Sequence, residues 1–310
     1  MNHTGTNPPS NPKTKAVAII PARYDSVRLP GKALLEIAGK PMICWVVERA
    51  LAARNVSRAI VATDDERILA AVKSFGHEAV MTAADHQSGT DRIAEVAASL
   101  ADEELIVNVQ GDEPLISPET VERAIEAIGE EGNKGTGETG KGKSEDAEKE
   151  RRGDVKLDIR AASKIAIVTT WEPIDSATEV LNPDVVKIVV NERERAVYFS
   201  RSPVPYPRDA VRKHGSLEAA ILNEPALLTR FRKHTGLYVY RRKVLLEFAQ
   251  WPQSELERLE SLEQLRALEH GVIIKAIKAS TPSIGVDTIE DLARVRKIVE
   301  EEACNSEFKP

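Results

Sequence analysis

Cysteine is nearly absent: Cys44 and Cys304 are the only two in 310 residues. So few thiols suit a reducing compartment and allow one disulfide at most. No apolar run approaches the roughly 20 residues that a membrane-spanning helix needs. The first fifteen residues, MNHTGTNPPSNPKTK, lack the apolar core of a signal peptide and read as a flexible tail. A basic field is missing as well. The formal net charge is −6, and the basic runs are short clusters such as YRRK, so a nucleic-acid partner is not expected. These absences together predict a soluble protein of the cytoplasm. With 42% hydrophobic and 30% charged residues, the composition is that of an ordinary globular chain. Its length suits one large α/β domain or two small ones.

What is present is an alternation of strands and helices. AVAII (16–20) is a continuous apolar run rich in β-branched residues, as in a buried parallel strand. Pro41 opens PMICWVVERALAA, in which Met42, Ile43, Val46, Val47, Ala50 and Leu51 recur at helical spacing. RAIVAT (58–63) is the next strand, and Asp64 is expected to cap a helix beginning near Asp65. EAVMT (78–82), a helix over about 90–99 and the strand LIVNVQ (105–110) follow. Strands resume with KIAIVTT (164–170), VVKIVV (185–190) and HTGLYVYRR (234–242). One helix is expected to carry SELERLESLEQLRALEHG, and VIIKAI with a helix over about 288–302 closes the fold, leaving 303–310 as a tail. This order implies an α/β fold with a doubly wound, mainly parallel central sheet in one domain, 16–302. Ligands of such sheets bind beyond the carboxyl ends of the strands. The alternation breaks at 129–154, where Ala147 is the only apolar side chain among mixed charges. Such a segment cannot bury enough surface to offset the entropy of ordering, so a disordered insertion is expected there.

Two stretches fall at carboxyl ends of strands: PARYDSVRLPGK after the first, and QGDEP after LIVNVQ. The first carries Arg23, Arg28 and Lys32 and is not a Walker loop, since Ser26 stands where the first glycine belongs and Ala33 replaces the metal-binding hydroxyl. It carries no dinucleotide fingerprint either. Two guanidiniums that fork onto phosphate oxygens, a compact ammonium and the small Gly31 make a phosphate site. The alternative is a solvated loop whose cations pair with nearby acids. Asp112 and Asp287 each lie at a strand end and offer hard oxygen ligands, or serve as helix caps.

In order along the chain, IIPARYDSVRLPGK, ADHQSGTDR, VNVQGDEP, NPDVVKIV, YFSRSPVPYPRD, HTGLYVYRR, LESLEQLRALEHG and GVDT resemble the blocks of the 3-deoxy-manno-octulosonate (Kdo) cytidylyltransferase family. The resemblance spans residues 16 to 300 except 129–163, where that family is shorter, so the disordered insertion is placed at about 129–163. It implies a nucleotide-diphospho-sugar transferase-like sandwich, a homodimer, and the reaction of CTP with Kdo to CMP-Kdo and diphosphate for lipopolysaccharide synthesis, with Mg²⁺ as cofactor. It matches Arg23, Ser26, Arg28 and Lys32 to the triphosphate loop, with Lys32 and Arg23 catalytic, and Asp112 and Asp287 to metal ligands that are also catalytic. Ser88 and Gln110 match nucleotide-binding positions, although Ser88 alone reads as a turn or cap residue. Gln110, Arg208, His234, Tyr238, Glu263 and Gln264 match sugar-contacting positions. Read without the family, Tyr238 is a core aromatic, Glu263 a solvated helix face and His234 a general base by type. Glu113 is a weaker metal candidate, and Arg201 a cation without an evident target. Thr235 and Val239 stand where the family often has leucine and glycine. A related acidic sugar (sialic acid or an 8-amino Kdo analogue) as acceptor, or a catalytically inactive nucleotide-binding regulator, are the competing readings.

Overall fold

The computed structural model describes residues 15–25, 29–100, 105–129 and 165–307. All but the last residue of the N-terminal tail, and all but the first residue of the 129–163 insertion, fall outside them. Strand β1 (Ala16–Ala22) is buried along almost its whole length. Ala16, Ala18 and Ile20 join the core on one face of the sheet, while Val17 and Ile19 join the core on the other. That two-sided burial is why the run is apolar without alternation. A small hairpin of β2 (Glu36–Ile37) and β3 (Lys40–Pro41) leads into α1 (Met42–Leu51). Pro41 stands just before the first turn, where its missing N–H costs no helical bond. Ile43, Val46, Val47 and Ala50 then bury one face of α1 completely, and each of the larger side chains contributes about 1.5–3 kcal/mol.

The alternation continues through β4 (Val56–Thr63), α2 (Glu66–Ser74), β5 (Glu78–Met81), α3 (Gly89–Ala98), β6 (Leu105–Asn108) and α4 (Pro118–Gly129). Asp65 rather than Asp64 caps α2, accepting from the N–H groups of Arg67 and Ile68. Asp64 is taken up elsewhere: it accepts from the fully buried guanidinium of Arg92 at 2.6 Å. Without that carboxylate Arg92 would be an uncompensated interior charge.

The second half comprises β7 (Ile167–Pro173), α5 (Ala177–Leu181), β8 (Lys187–Val190), β9 (Ala196–Ser200), α6 (Arg208–His214), α7 (Leu217–Asn223), β10 (Arg232–Arg241), α8 (Arg242–Phe248), α9 (Glu255–Glu260), α10 (Gln264–Glu269), β11 (Ile274–Lys278) and α11 (Ile289–Glu307). The segment expected as one helix is split into α9 and α10 at Ser261, whose φ of 52° cannot continue a right-handed helix. Helix α11 runs on to Glu307, so residues 303–307 are helix rather than tail.

A nine-stranded sheet is ordered β11–β7–β10–β6–β1–β4–β5, with β8 and β9 attached beside β10. The pairs β1–β4, β1–β6, β4–β5 and β7–β11 are parallel, whereas β10 runs antiparallel between β6 and β7. The carboxyl ends of β1 and β6 therefore lie side by side, and β10 crosses next to them in the opposite sense. Among the described residues no helix is long and apolar enough to cross a membrane.

Candidate active site

Gly111, just beyond β6, comes so near to β1 that a Cβ would lie 2.8 Å from the Pro21 carbonyl oxygen. Only glycine fits there without moving backbone, and the approach delivers Asp112 to the loop that follows β1. The neck of that loop is closed by the Gly31 N–H, which donates to the Tyr24 carbonyl at 2.9 Å. The Tyr24 ring lies under the Arg67 guanidinium, 3.3 Å from its centroid. A third segment joins from the loop before α11, where the Val286 N–H donates to the Asp112 carbonyl at 2.9 Å.

At this meeting point the Lys32 ammonium donates to Asp112 Oδ2 at 2.5 Å and to Asp287 Oδ1 at 3.2 Å. Burial alone would lower the Lys32 pKa, but the two carboxylates reverse the effect and hold it above its ordinary value. Neither aspartate is a helix cap. Thr288 caps α11, accepting from the Asp291 N–H at 3.1 Å while Asp291 accepts from the Thr288 N–H at 3.0 Å. Ser117 does the same at the start of α4 by accepting from the Thr120 N–H. Two hard oxygen ligands that already share one cation form a donor set that fits a divalent metal, which commonly takes one or two carboxylates together with substrate phosphates. Glu113 stands apart from this pair. Burial first, and then the Asp112 charge, push its carboxyl up to about 8.

Arg23 donates to the His86 carbonyl at 2.8 Å, tying the first loop to the segment before α3. Ser26 and Arg28 lie outside the described residues. Ser88 is the N-cap of α3, in a reciprocal capping box with Asp91. Arg201 finds its targets in backbone: its Nε donates to the Glu260 carbonyl at 2.7 Å and its Nη1 to the Pro183 carbonyl at 3.0 Å.

Gln110, two residues before Asp112, lines a cavity of about 270 Å³ together with His234, Tyr238, Glu263 and Gln264. Five of the six residues matched to a sugar therefore share one space, and Arg208, exposed on α6, is not part of its lining. Asn108, Thr90 and Tyr240 also line it and were not singled out in the sequence. Two signals pointed at them: Asn108 is the one polar residue within LIVNV, and Tyr240 shares a strand face with Tyr238. His234 is half-buried in the cavity wall, and burial pulls its pKa down to about 3, far below that of a base that titrates near neutrality. Glu263 is half-buried, and burial raises its carboxyl above the usual range while a hydrogen bond from Thr90 opposes the rise. Tyr238 and Tyr240 stack at 5.6 Å between ring centroids.

A strand-end cation shared by two carboxylates on an α/β sheet fits the class of enzymes that transfer phosphoryl or nucleotidyl groups. The model of the cytidylyltransferase family matches residues 17–277, and the chain belongs to that family. It is 46% identical over 281 residues to a 3-deoxy-manno-octulosonate cytidylyltransferase of Geotalea daltonii, covering 91% of this chain and 96% of the relative. It is 40% identical over 293 residues to the protein of that name from Escherichia coli, covering 94% and 99%. A solved structure of CMP:2-keto-3-deoxy-manno-octonic acid synthetase complexed with CTP superposes with a TM-score of 0.73 at 40% identity, covering 93% of this chain and 99% of that one.

Proposed function

We propose that this chain transfers CMP from CTP to 3-deoxy-D-manno-octulosonate, releasing diphosphate, as a step of lipopolysaccharide synthesis. The observation that carries the reading is the Lys32–Asp112–Asp287 cluster at the end of β6, where Gln110, two residues before Asp112, lines the cavity shared by His234, Tyr238, Glu263 and Gln264. One half suits a triphosphate and the other a polyhydroxy acid.

The reaction spreads charge over the phosphoryl oxygens and collects it on the departing diphosphate, so catalysis is mainly positioning and charge stabilisation. Lys32 is placed to neutralise charge at the α-phosphate and the leaving group, and Arg23 is anchored in the same loop. Asp112 and Asp287 would hold Mg²⁺, which supplies charge neutralisation at phosphate and a lowered pKa for a bound hydroxyl. Gln110 and the residues of the cavity hold the acid sugar with its anomeric hydroxyl toward phosphorus. The enzyme works as a homodimer in the cytoplasm, a state that light scattering on the purified protein checks.

Incubation of the purified protein with nucleotide, Mg²⁺ and a panel of acidic sugars, followed by diphosphate release, tests the assignment. CTP with Kdo is expected to dominate, UTP to be the best of the wrong nucleotides, and sialic acid to turn over poorly. A pocket shaped for a pyrimidine excludes the larger purines, so turnover with ATP equal to that with CTP refutes the reading.

A further inference from the structure

The Gln110 amide has two N–H donors, and both are already used. Its Nε2 donates to Asn108 Oδ1 at 3.2 Å and to the Gly236 carbonyl at 3.3 Å. The reverse orientation would face the amide oxygen with a backbone carbonyl, which has no proton to give, so Gly236 fixes the sense of the amide. Sterics support the same placement. In the pairing of β10 with β7 the register shifts between Thr235 and Tyr238. A Cβ on Gly236, which lies inside that bulge, would come 2.7 Å from Gln110 Cγ. The glycine leaves room for the Gln110 stem, and its carbonyl then holds the amide. Asn108 is 3% exposed and stands opposite Tyr238 in the β6–β10 register, so it is a rigid second anchor.

We infer that Asn108 is a positioning residue, which together with the Gly236 carbonyl presents Gln110 to the cavity as a hydrogen-bond acceptor only, so that the enzyme reads the proton of one acid-sugar hydroxyl there. This rests on the reading of the cavity as the sugar subsite. His234 is set in the same way. Thr169 Oγ1 gives its single proton to the Leu237 carbonyl at 2.9 Å and therefore accepts from His234 Nε2, also at 2.9 Å. The ring proton is thus on Nε2, leaving Nδ1 without one, and the buried ring stays neutral. Gln110 and His234 both line the cavity, and both have their N–H groups committed to protein partners. A ligand rich in hydroxyl protons fits such an array, whereas groups that only accept do not.

The test uses full-length protein, CTP, Mg²⁺ and a set of Kdo analogues in which each non-anomeric hydroxyl is replaced in turn by hydrogen or by fluorine. Fluorine retains an acceptor of similar size but has no proton. At one position both the deoxy and the fluoro analogue should raise KM by about tenfold or more, because a site built around a hydroxyl rejects analogues lacking its proton. Asn108→Leu removes one of the two acceptors that hold the amide. One N–H group is left unpaired and the Gly236 carbonyl is the remaining tether, so the amide oxygen is no longer held rigidly toward one hydroxyl. The variant should raise KM for Kdo by about tenfold, reduce the deoxy penalty at that position to under about twofold, and leave KM for CTP within about twofold. A purely structural role for Asn108 would lower activity without erasing the difference between hydroxyl and hydrogen. The inference is overturned if fluorine restores full binding wherever hydrogen fails, or if Asn108→Leu raises KM for CTP instead. The analogue series on the unmodified enzyme decides the matter even if that variant does not fold. Diphosphate release with Kdo but a flat analogue profile removes this inference alone. No release with any acidic sugar removes the functional reading with it.

Discussion

Changing Asp287 to Asn keeps the shape of the side chain and removes one negative charge from the Lys32 cluster. The cost to the fold is small for three structural reasons. Thr288, not Asp287, caps α11. Lys32 keeps its shorter contact, the one at 2.5 Å to Asp112. The Asp287 side chain is also 41% exposed, and pairs that open to solvent contribute about 0–1 kcal/mol. For a chain of this size the melting temperature should therefore move by no more than about 2–4 °C. Catalysis should suffer far more. A hard cation that loses one of two charged ligands binds more weakly and leaves the phosphates less well neutralised. Turnover is expected to fall at least about a hundredfold, which is about 2.7 kcal/mol of transition-state stabilisation. Diphosphate release across a Mg²⁺ titration is the assay, and higher Mg²⁺ should recover part of the loss. Glu113→Gln is the control, expected to be milder because that carboxyl takes no part in the Lys32 contacts. Full activity of Asp287→Asn at low Mg²⁺ refutes the assignment of Asp287 to the metal.

Burial holds the His234 pKa at about 3, below its ordinary 6.5, so the native chain refuses a proton that the unfolded chain accepts. The stability tied to this is complete above about pH 6.5 and is lost as pH falls toward about 3, at up to about 1.4 kcal/mol per pH unit. His234→Gln should flatten thermal stability between about pH 5 and 6.5 by one proton's worth of slope. Arg201→Gln removes donors to the Glu260 and Pro183 carbonyls; it should cost about 1–3 kcal/mol in urea unfolding and leave KM for CTP and Kdo nearly unchanged. Gly111→Ala drives a methyl against the Pro21 carbonyl, so it should destabilise by about 1–3 kcal/mol. Because the same shift displaces Asp112, kcat should fall more than unfolding alone explains, which is checked by assaying the variant well below its melting temperature.

The sheet was legible because its signal is local. Residues 16–20 have to be apolar on both faces, and the helical spacing from Met42 to Leu51 needs no partner to be recognised. Short helices such as α5, α6 and α7 escaped notice because one or two turns carry too little periodicity, and their stability comes from packing. The split between α9 and α10 escaped for another reason. Ser261 adopts a left-handed backbone that nothing in its residue type demands, so tertiary contacts decided it.

The phosphate loop posed a sharper problem of the same kind. Three cations in one short stretch call for negative charge, and the sequence left two sources open: a bound phosphate, or acids of the chain itself. The fold supplies the second for Lys32 from Asp112 and Asp287, which are 80 and 255 residues away in sequence. No spacing rule connects positions so distant. They meet because parallel pairing of β1 with β6 aligns their carboxyl ends, and because Gly111 lets the second loop touch the first. Under the proposed function the two sources would be successive partners of one lysine rather than rivals. The carboxylates hold the ammonium in place; under that function a metal-bound nucleotide would offer them a stronger cation and would offer the lysine its phosphates. A lysine that would neutralise charge only during transfer is thereby kept paired and ordered beforehand, which would lower the reorganisation such a reaction requires.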